Sequence, residues 1–402
     1  MIYLDNAATT QMSLEVLDAM LPYLKGEYGN AGAIYGLGRR AADAVAKARQ
    51  QVADFVGAKP EQIIFTSSGT EANNLAICGS RHYLKSIGKK HIITSPTEHD
   101  SVLRAVNALC KPLSPNEKKC IKAEFDTSYL AVDKYGHSSV DSLANKLNDY
   151  DDVGLVTVMY ANNEVGVLNN VRGIGRLCRE KHILFHTDCV QAAGSVPLNV
   201  DEMLCDFVSI SSHKIHGPKG VGALYVRDKE YLYPIINGGS TQEFGLRGGT
   251  ENVAGVVGFG VACELVSKEL DCNAKTIIRY KQQFYQVLKD KLAERNLDDD
   301  LWINGLLPRY PGKTMSITFK DVDAEALVLA MDNKGICISA GSACTSHESK
   351  PSHVLKAIGL SDNDARSTIR VSFSKYNTPT EIERAAQTMA VCVEFLRGAH
   401  KI

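Results

Sequence analysis

Asp206-Phe207-Val208-Ser209-Ile210 and the segment that follows it, Ser211-Ser212-His213-Lys214-Ile215-His216-Gly217-Pro218-Lys219-Gly220, decide how this chain reads. The first five residues form a short apolar run suited to a buried strand. The second segment is small and polar, with one lysine near its start. A second apolar run, Ile183 to Thr187, ends at Asp188. A lysine amine can form a Schiff base with an aldehyde cofactor, and a carboxylate can keep a pyridine nitrogen protonated so that the ring accepts electrons. Lys214 and Asp188 therefore suggest a pyridoxal phosphate site. Most loop lysines are simply solvated, so the surrounding sequence has to support the reading.

Outward from this stretch, short apolar runs alternate with longer segments of helical period, the pattern of parallel strands joined by crossover helices. The expected class is α/β. Strands are predicted at Gln62 to Thr66, His91 to Ser95, Gly154 to Tyr160, Ile183 to Thr187, Asp206 to Ile210 and Val221 to Val226. A helix is predicted over Arg39 to Val56, where Ala41, Ala44, Val45, Ala48, Val52 and Phe55 recur at helical spacing and Gly57 supplies the stop. Two more are predicted over Glu71 to Leu84 and Val171 to Lys181. From Thr250 to about Glu294 the pattern is one long helical segment with one or more breaks, and strands around Met315 to Phe319 and Ile336 to Ser339 flank another helix. The last helix begins at Thr378-Pro379-Thr380-Glu381, with a capping threonine, a proline in the first turn and a glutamate three residues after the cap.

At 402 residues the chain suits two domains, or a large domain with a smaller one packed on it. A formal net charge of -1, with both signs scattered, gives no reason to expect nucleic acid or an anionic membrane as the main partner. The start lacks the features of a signal peptide, and the longest apolar tract, Val253 to Ala262, is short and interrupted by glycine. A cytoplasmic small-molecule enzyme is the expectation. The 11 cysteines are odd in number and include no Cys-x-x-Cys pair, which argues against a disulfide framework and a zinc ribbon; no metal site is expected. Most cysteines sit among apolar neighbours and read as core residues. Cys344 differs: Ser339-Ala340-Gly341-Ser342-Ala343-Cys344-Thr345-Ser346-His347 has no apolar period and reads as a loop that presents a thiol.

Other polar residues cluster at the predicted strand ends. Phe65-Thr66-Ser67-Ser68-Gly69-Thr70-Glu71-Ala72-Asn73-Asn74 runs from a strand through a small-residue turn into a helix. Unpaired amides and the positive helix end there suit a phosphate, with Ser68 and Thr70 hydroxyls as further donors; such a turn also serves simply to cap a helix. His99, in Thr97-Glu98-His99-Asp100, can stack on a flat ring or relay a proton, or be a surface imidazole at a helix start. Asn162 and Asn163, in Tyr160-Ala161-Asn162-Asn163-Glu164-Val165-Gly166, also satisfy plain turn chemistry. Asp188 itself precedes Cys189-Val190-Gln191 at a strand's carboxyl end, where ligands bind in open parallel sheets; capping is its alternative role.

These segments occur in order along the chain. Together with Tyr3-Leu4-Asp5-Asn6-Ala7-Ala8-Thr9-Thr10, Gly245-Leu246-Arg247-Gly248-Gly249-Thr250 and Ile369-Arg370-Val371-Ser372, they resemble the cysteine desulfurases, fold type I pyridoxal 5'-phosphate enzymes of the class V aminotransferase family. The likeness covers nearly the whole chain. It implies a large domain, residues 15–258, with a mostly parallel seven-stranded sheet between helices. Residues 1–14 and 259–402 would form a smaller α+β domain whose loop, about 339–351, carries Cys344. It implies Lys214 as the Schiff-base lysine and Asp188 as the partner of the pyridinium nitrogen. Gln191 and Asn163 would hold the 3-hydroxyl and its surroundings, His99 would stack on the ring and shuttle protons, and Gly69, Thr70, Ser211 and His213 would hold the phosphate. Thr250 would complete the phosphate site of a neighbouring subunit, so a homodimer is implied. Arg370 would clamp the substrate carboxylate, a task that suits a planar fork.

The implied reaction takes sulfur from L-cysteine, giving L-alanine and a persulfide on Cys344. An unperturbed thiol pKa near 8.5 leaves only roughly 3% thiolate at pH 7, so a neighbouring base or cation must help. His99 is one candidate and His347 another. The long loop from Gly341 to Pro351 goes, in this family, with a cysteine that carries persulfide to an acceptor protein, in iron-sulfur assembly, transfer RNA thiolation or DNA sulfur modification. A selenocysteine lyase or other β-lyase on the same scaffold is the nearest alternative, and a weakly active scaffold of a sulfur-delivery complex is one of another class. The chain departs from the family at Gly29-Asn30-Ala31-Gly32-Ala33-Ile34-Tyr35, where relatives show Gly-Asn-Pro-Ser-Ser and then a histidine. That bears on the site entrance near the neighbouring subunit rather than on the reaction type.

Overall fold

Phe207–Ser211, the run that leads to Lys214, is buried at every residue, and so are Val153–Thr157, Leu184–Asp188 and Gly222–Val226. Strands covered on both faces have no polar face to alternate, which is why they read as plain apolar runs. A computed structural model describes residues 1–110, 123–305, 307–341 and 351–399. Its first half comprises β1 (Ile2–Tyr3), α1 (Leu14–Lys25), α2 (Gly36–Val56), β2 (Ile63–Thr66), α3 (Gly69–Gly79), α4 (Arg81–Ser86), β3 (His91–Thr94), α5 (Asp100–Cys110), β4 (Asp126–Tyr129), α6 (Val140–Asp149), β5 (Val153–Thr157), α7 (Val171–Glu180), β6 (Leu184–Asp188), α8 (Val200–Met203), β7 (Phe207–Ser211) and β8 (Gly222–Val226). The second half comprises α9 (Val253–Ala293), β9 (Leu301–Asn304), β10 (Thr314–Phe319), α10 (Ala324–Asp332), β11 (Ile336–Cys337), β12 (Ser339–Ala340), α11 (His353–Ala357), α12 (Asp362–Arg366), β13 (Thr368–Ser372) and α13 (Pro379–Ala399).

The expected α/β sheet is present. Seven strands lie in the order β2-β8-β7-β6-β5-β3-β4, all parallel except β8, which runs antiparallel to both neighbours. One face packs against an apolar cluster that includes Val52, Phe55, Phe185, Ile210 and Phe259, the other against Leu75, Val102, Leu155, Phe207 and Leu224. A second, antiparallel sheet has the order β12-β13-β10-β9, and β1 pairs with β11 beside it. Phe284, Leu288, Ile317, Phe373 and Met389 fill the cluster against that sheet.

Several local details differ from the sequence reading. The expected helix Glu71 to Leu84 is two helices, parted at Ser80, whose hydroxyl donates to the Ile77 carbonyl over 3.0 Å. The expected strand Ile336 to Ser339 splits into β11 and β12, which pair in different sheets. α9 is one helix without the expected breaks, and it carries Phe259 and Val266 into the first core and Ile277, Phe284 and Leu288 into the core of the second sheet. Its glycines are packing points: a Cβ on Gly258 would lie 2.6 Å from Met20 Sδ on α1, and one on Gly260 would lie 2.8 Å from the Ala48 Cα on α2. The last helix starts as read, because the Thr378 N–H donates to Glu381 Oε2 (3.0 Å) and the Glu381 N–H donates to Thr378 Oγ1 (3.2 Å). Among the described residues no helix is long and apolar enough to cross a membrane.

β2, β3, β5, β6 and β7 all point the same way, since β2 and β7 are each antiparallel to β8. The segments that follow these five strands therefore gather at one end of the sheet, outside the strands' carboxyl ends.

Candidate active site

The gathered segments enclose a cavity of about 250 Å³. Asp188, Gln191 and Lys214 line it from the ends of β6 and β7, with His99 and Asn163 from the turns after β3 and β5. The Ser68-Gly69-Thr70 turn, Ser211 and His213 line it too, and Arg370 reaches it from β13. The structure thus brings eleven sequence-derived candidates to one place. Thr250 is exposed and does not line this cavity. Cys344 and His347 lie outside the described residues.

Asp188 is the last residue of β6 and is buried. Its Oδ1 accepts the Val190 N–H (2.9 Å) and its Oδ2 accepts Asn73 Nδ2 (2.8 Å), so the carboxylate plane is fixed from two sides. Lys214 ends a single 3-10 turn after β7, and its ammonium donates to the Ala7 and Ala8 carbonyls at 2.6 and 2.8 Å. Gln191 Nε2 donates to the same Ala7 carbonyl (2.8 Å), while its Oε1 is buried with no partner among the described residues. The N-terminal segment is held in turn by Ser372, whose carbonyl accepts Asn6 Nδ2 (2.9 Å) and whose hydroxyl accepts the Ala7 N–H (2.8 Å).

At the turn into α3, Ser68 caps the helix by accepting the Glu71 N–H (3.2 Å). Gly69 has no room for a side chain, because a Cβ there would lie 2.6 Å from Val190 Cγ2. Ser211 Oγ is buried and has no hydrogen-bond partner among the described residues. Burial, and then the charges of Lys214, Lys313 and Lys219, push the His213 imidazole down to about 4, so it is neutral at ordinary pH and keeps one N–H to donate.

Arg370 is buried on β13. Its Nη2 meets Asp5 Oδ1 at 2.9 Å, its Nη1 donates to the Asn163 carbonyl at 3.2 Å, and its Nε has no partner among the described residues. Two residues outside the sequence reading stand at the site, Glu98 in the cavity wall and Lys313 behind Lys214. Lys313 is buried and donates to the Lys214 carbonyl (2.9 Å), and burial beside Lys214 and Arg370 lowers it to about 7. Glu98 is fully buried; its Oε1 accepts the Met159 N–H (2.6 Å), and burial, with the nearby Asp188 adding to it, holds the carboxyl well above the usual range. Glu98 was visible only as the neighbour of His99. No local pattern distinguishes a buried glutamate from a solvated one at a helix start.

The sequence matches the model of the aminotransferase class-V family over residues 2–385. The chain belongs to that family. It is 39% identical to "Cysteine desulfurase IscS" of Dictyoglomus turgidum over 396 residues, 98% of this chain and 95% of the relative. Among solved structures it superposes on a "NifS-like protein" with a TM-score of 0.84 at 33% identity, covering 98% of this chain and all of that one. A structure titled "SspA in complex with cysteine" matches with a TM-score of 0.76 at 33% identity, over 94% of this chain and all of that one. Within the class-V family the chain stands with the cysteine desulfurases, which are pyridoxal 5'-phosphate enzymes.

The residues present fit that cofactor. The cavity has a lysine amine, a fixed carboxylate, and a helix N-terminus beside an unsatisfied buried hydroxyl, where a phosphate finds donors. A side chain at Gly69 would fill the cradle.

Proposed function

We propose that this class-V family member is a cysteine desulfurase in which Lys214, Asp188 and Arg370 handle L-cysteine and Cys344 receives its sulfur. The observation that carries the reading is the convergence of Lys214, Asp188, the Ser68-Gly69-Thr70 turn and Arg370 on one cavity. Bound there, pyridoxal 5'-phosphate supplies an aldehyde for the substrate amine and a ring that takes up the electron pair released at the substrate α-carbon.

Lys214 would anchor the cofactor through its amine, and its Nζ would serve as the base for the substrate α-proton. Asp188 keeps the ring nitrogen protonated. The Gly69 and Thr70 amides with the Thr70 and Ser211 hydroxyls and His213 hold the phosphate, and Gln191 and Asn163 hold the 3-hydroxyl edge. Arg370 binds the substrate carboxylate, and its ion pair with Asp5 keeps the guanidinium oriented before substrate arrives. The Cys344 thiolate attacks the substrate sulfur: an S–S bond forms, the substrate C–S bond breaks, and its electron pair stays on carbon, where a proton completes L-alanine. The sulfur leaves as a persulfide for an acceptor protein. A homodimer in which Thr250 serves the neighbouring subunit's phosphate suits its exposed position in this chain.

With L-cysteine and a thiol reductant the chain is expected to release alanine and sulfide in equal amounts. Cys344→Ser is expected to abolish sulfide release while the visible absorbance of the bound cofactor persists. Undiminished sulfide release by that variant would remove Cys344 from the reaction.

A further inference from the structure

His99 is tied to Asp188 by a continuous set of hydrogen bonds through Ser101 and Asn73. The Ser101 N–H donates to His99 Nδ1 (3.1 Å), and the Ser101 hydroxyl meets the same nitrogen at 2.8 Å. That hydroxyl also accepts Asn73 Nδ2 (2.9 Å), and the same Nδ2 donates to Asp188 Oδ2 (2.8 Å). Asn73 is 1% exposed and Ser101 7%, so water does not compete for these groups.

Proton counting fixes the direction of each bond. The two Asn73 amide protons go to Asp188 and Ser101, which exhausts that donor. With one lone pair of Ser101 Oγ engaged by Asn73, the hydroxyl proton points at His99 Nδ1. The Ser101 N–H points at the same nitrogen. A proton on Nδ1 would face the Ser101 N–H head-on, so the neutral ring carries its proton on Nε2. We infer that Asn73 and Ser101 are positioning residues: they hold His99 as the Nε2–H tautomer and lock its ring into one frame with Asp188. Both residues lie near the N-terminal ends of helices, Asn73 on α3 and Ser101 on α5, so the frame is set by two packed helices rather than by loops.

The consequence deepens the desulfurase reading and rests on it. With Nδ1 taken up by Ser101, His99 is presented as a neutral hydrogen-bond donor from Nε2, suited to orient an acceptor on substrate or cofactor rather than to take the proton from the substrate thiol.

The test uses the cofactor-free protein and needs no catalysis. In 15N-labelled protein at pH 8, the His99 Nδ1 resonance is expected at the position of an unprotonated, hydrogen-bonded nitrogen. Ser101→Ala shifts it toward the unbonded value, Asn73→Leu shifts it in the same direction although residue 73 does not touch the ring, and Ser101→Thr leaves it in place. A wild-type Nδ1 that carries the proton, or an Asn73→Leu resonance that does not move, overturns the inference. In the loaded enzyme the two losses are expected to lower kcat on the order of tenfold, because an Nε2–H donor free to turn no longer holds its acceptor in place. The double variant is expected to lose little more than either single one, since both cut the same chain. Additive losses indicate independent packing roles and also overturn it. If the enzyme is inactive toward cysteine while the resonance behaves as stated, the desulfurase reading fails and the tautomer clamp stands.

Discussion

Arg370 shows how much a single residue can be constrained before substrate arrives. It is buried, yet its charge is met by Asp5 and by the Asn163 carbonyl, so removing it would strand a carboxylate and a carbonyl as well as a ligand group. Replacing it with lysine keeps the charge and loses the planar fork. Arg370→Lys is expected to raise KM for L-cysteine by about tenfold or more, as loss of one charge-assisted bond of roughly 1.5–3 kcal/mol implies, with a smaller change in kcat. Steady-state kinetics check this, and an unchanged KM would place the substrate carboxylate elsewhere. At this scale Lys214 and Asp188 were legible because their chemistry is rare in small-residue segments at strand ends, whereas Arg370, in the middle of β13, was read only through the family resemblance. Glu98, Lys313, Asn73 and Ser101 were not, because what marks them is burial and mutual contact between segments far apart in the chain.

The elements carry two further expectations. α9 reads as broken because Gly255, Gly258 and Gly260 lie in its first turns, but Gly258 and Gly260 let α1 and α2 approach the helix. At Gly260 the two effects of an added methyl oppose each other. Alanine gains about 1 kcal/mol of helix propensity. Its Cβ would sit 2.8 Å from the Ala48 Cα, a backbone atom that cannot swing away, and overpacking of this kind costs about 1–3 kcal/mol. Packing wins, so Gly260→Ala is expected to lower the denaturation midpoint, and a raised midpoint would mean that α2 and α9 are not in contact there. The sheet interior predicts a pH effect. His186 on β6 is bonded to Thr157 on one side and Ser209 on the other, and burial lowers it to about 3. The folded state keeps it neutral while the unfolded chain takes up a proton below about pH 6.5, so stability falls as pH drops through the window from about 6.5 to about 3. His213 and His216, each lowered to about 4, act in the same direction. Denaturant midpoints measured at about pH 7.5 and about pH 5 should show the loss, with a shallower dependence in His186→Gln. Equal midpoints would contradict it. The central strands were legible from their apolar runs, whereas β4 was not: Asp126–Tyr129 lies at the sheet edge and is mostly polar, so it carries no apolar signal.

At the scale of the molecule, the site is built where two sheets meet. The ends of β6 and β7 supply the acid and the lysine, β13 supplies the guanidinium, and the segment from Asp5 to Thr10 bridges them through Ser372, Gln191, Lys214 and His213. The class of fold and the large sheet could be read from alternation of apolar runs with helical periods. How the second sheet closes the cavity could not, since it depends on contacts between residues some 365 positions apart. The near-zero net charge agrees with a small zwitterionic substrate rather than a polyanion. The central claim is that the converging strand ends hold pyridoxal 5'-phosphate on Lys214. Reduction of the loaded protein with borohydride, followed by peptide mapping, tests it most directly: the cofactor should be found fixed to Lys214 and absent from a Lys214→Ala variant, and a fixed cofactor on any other lysine would contradict the account.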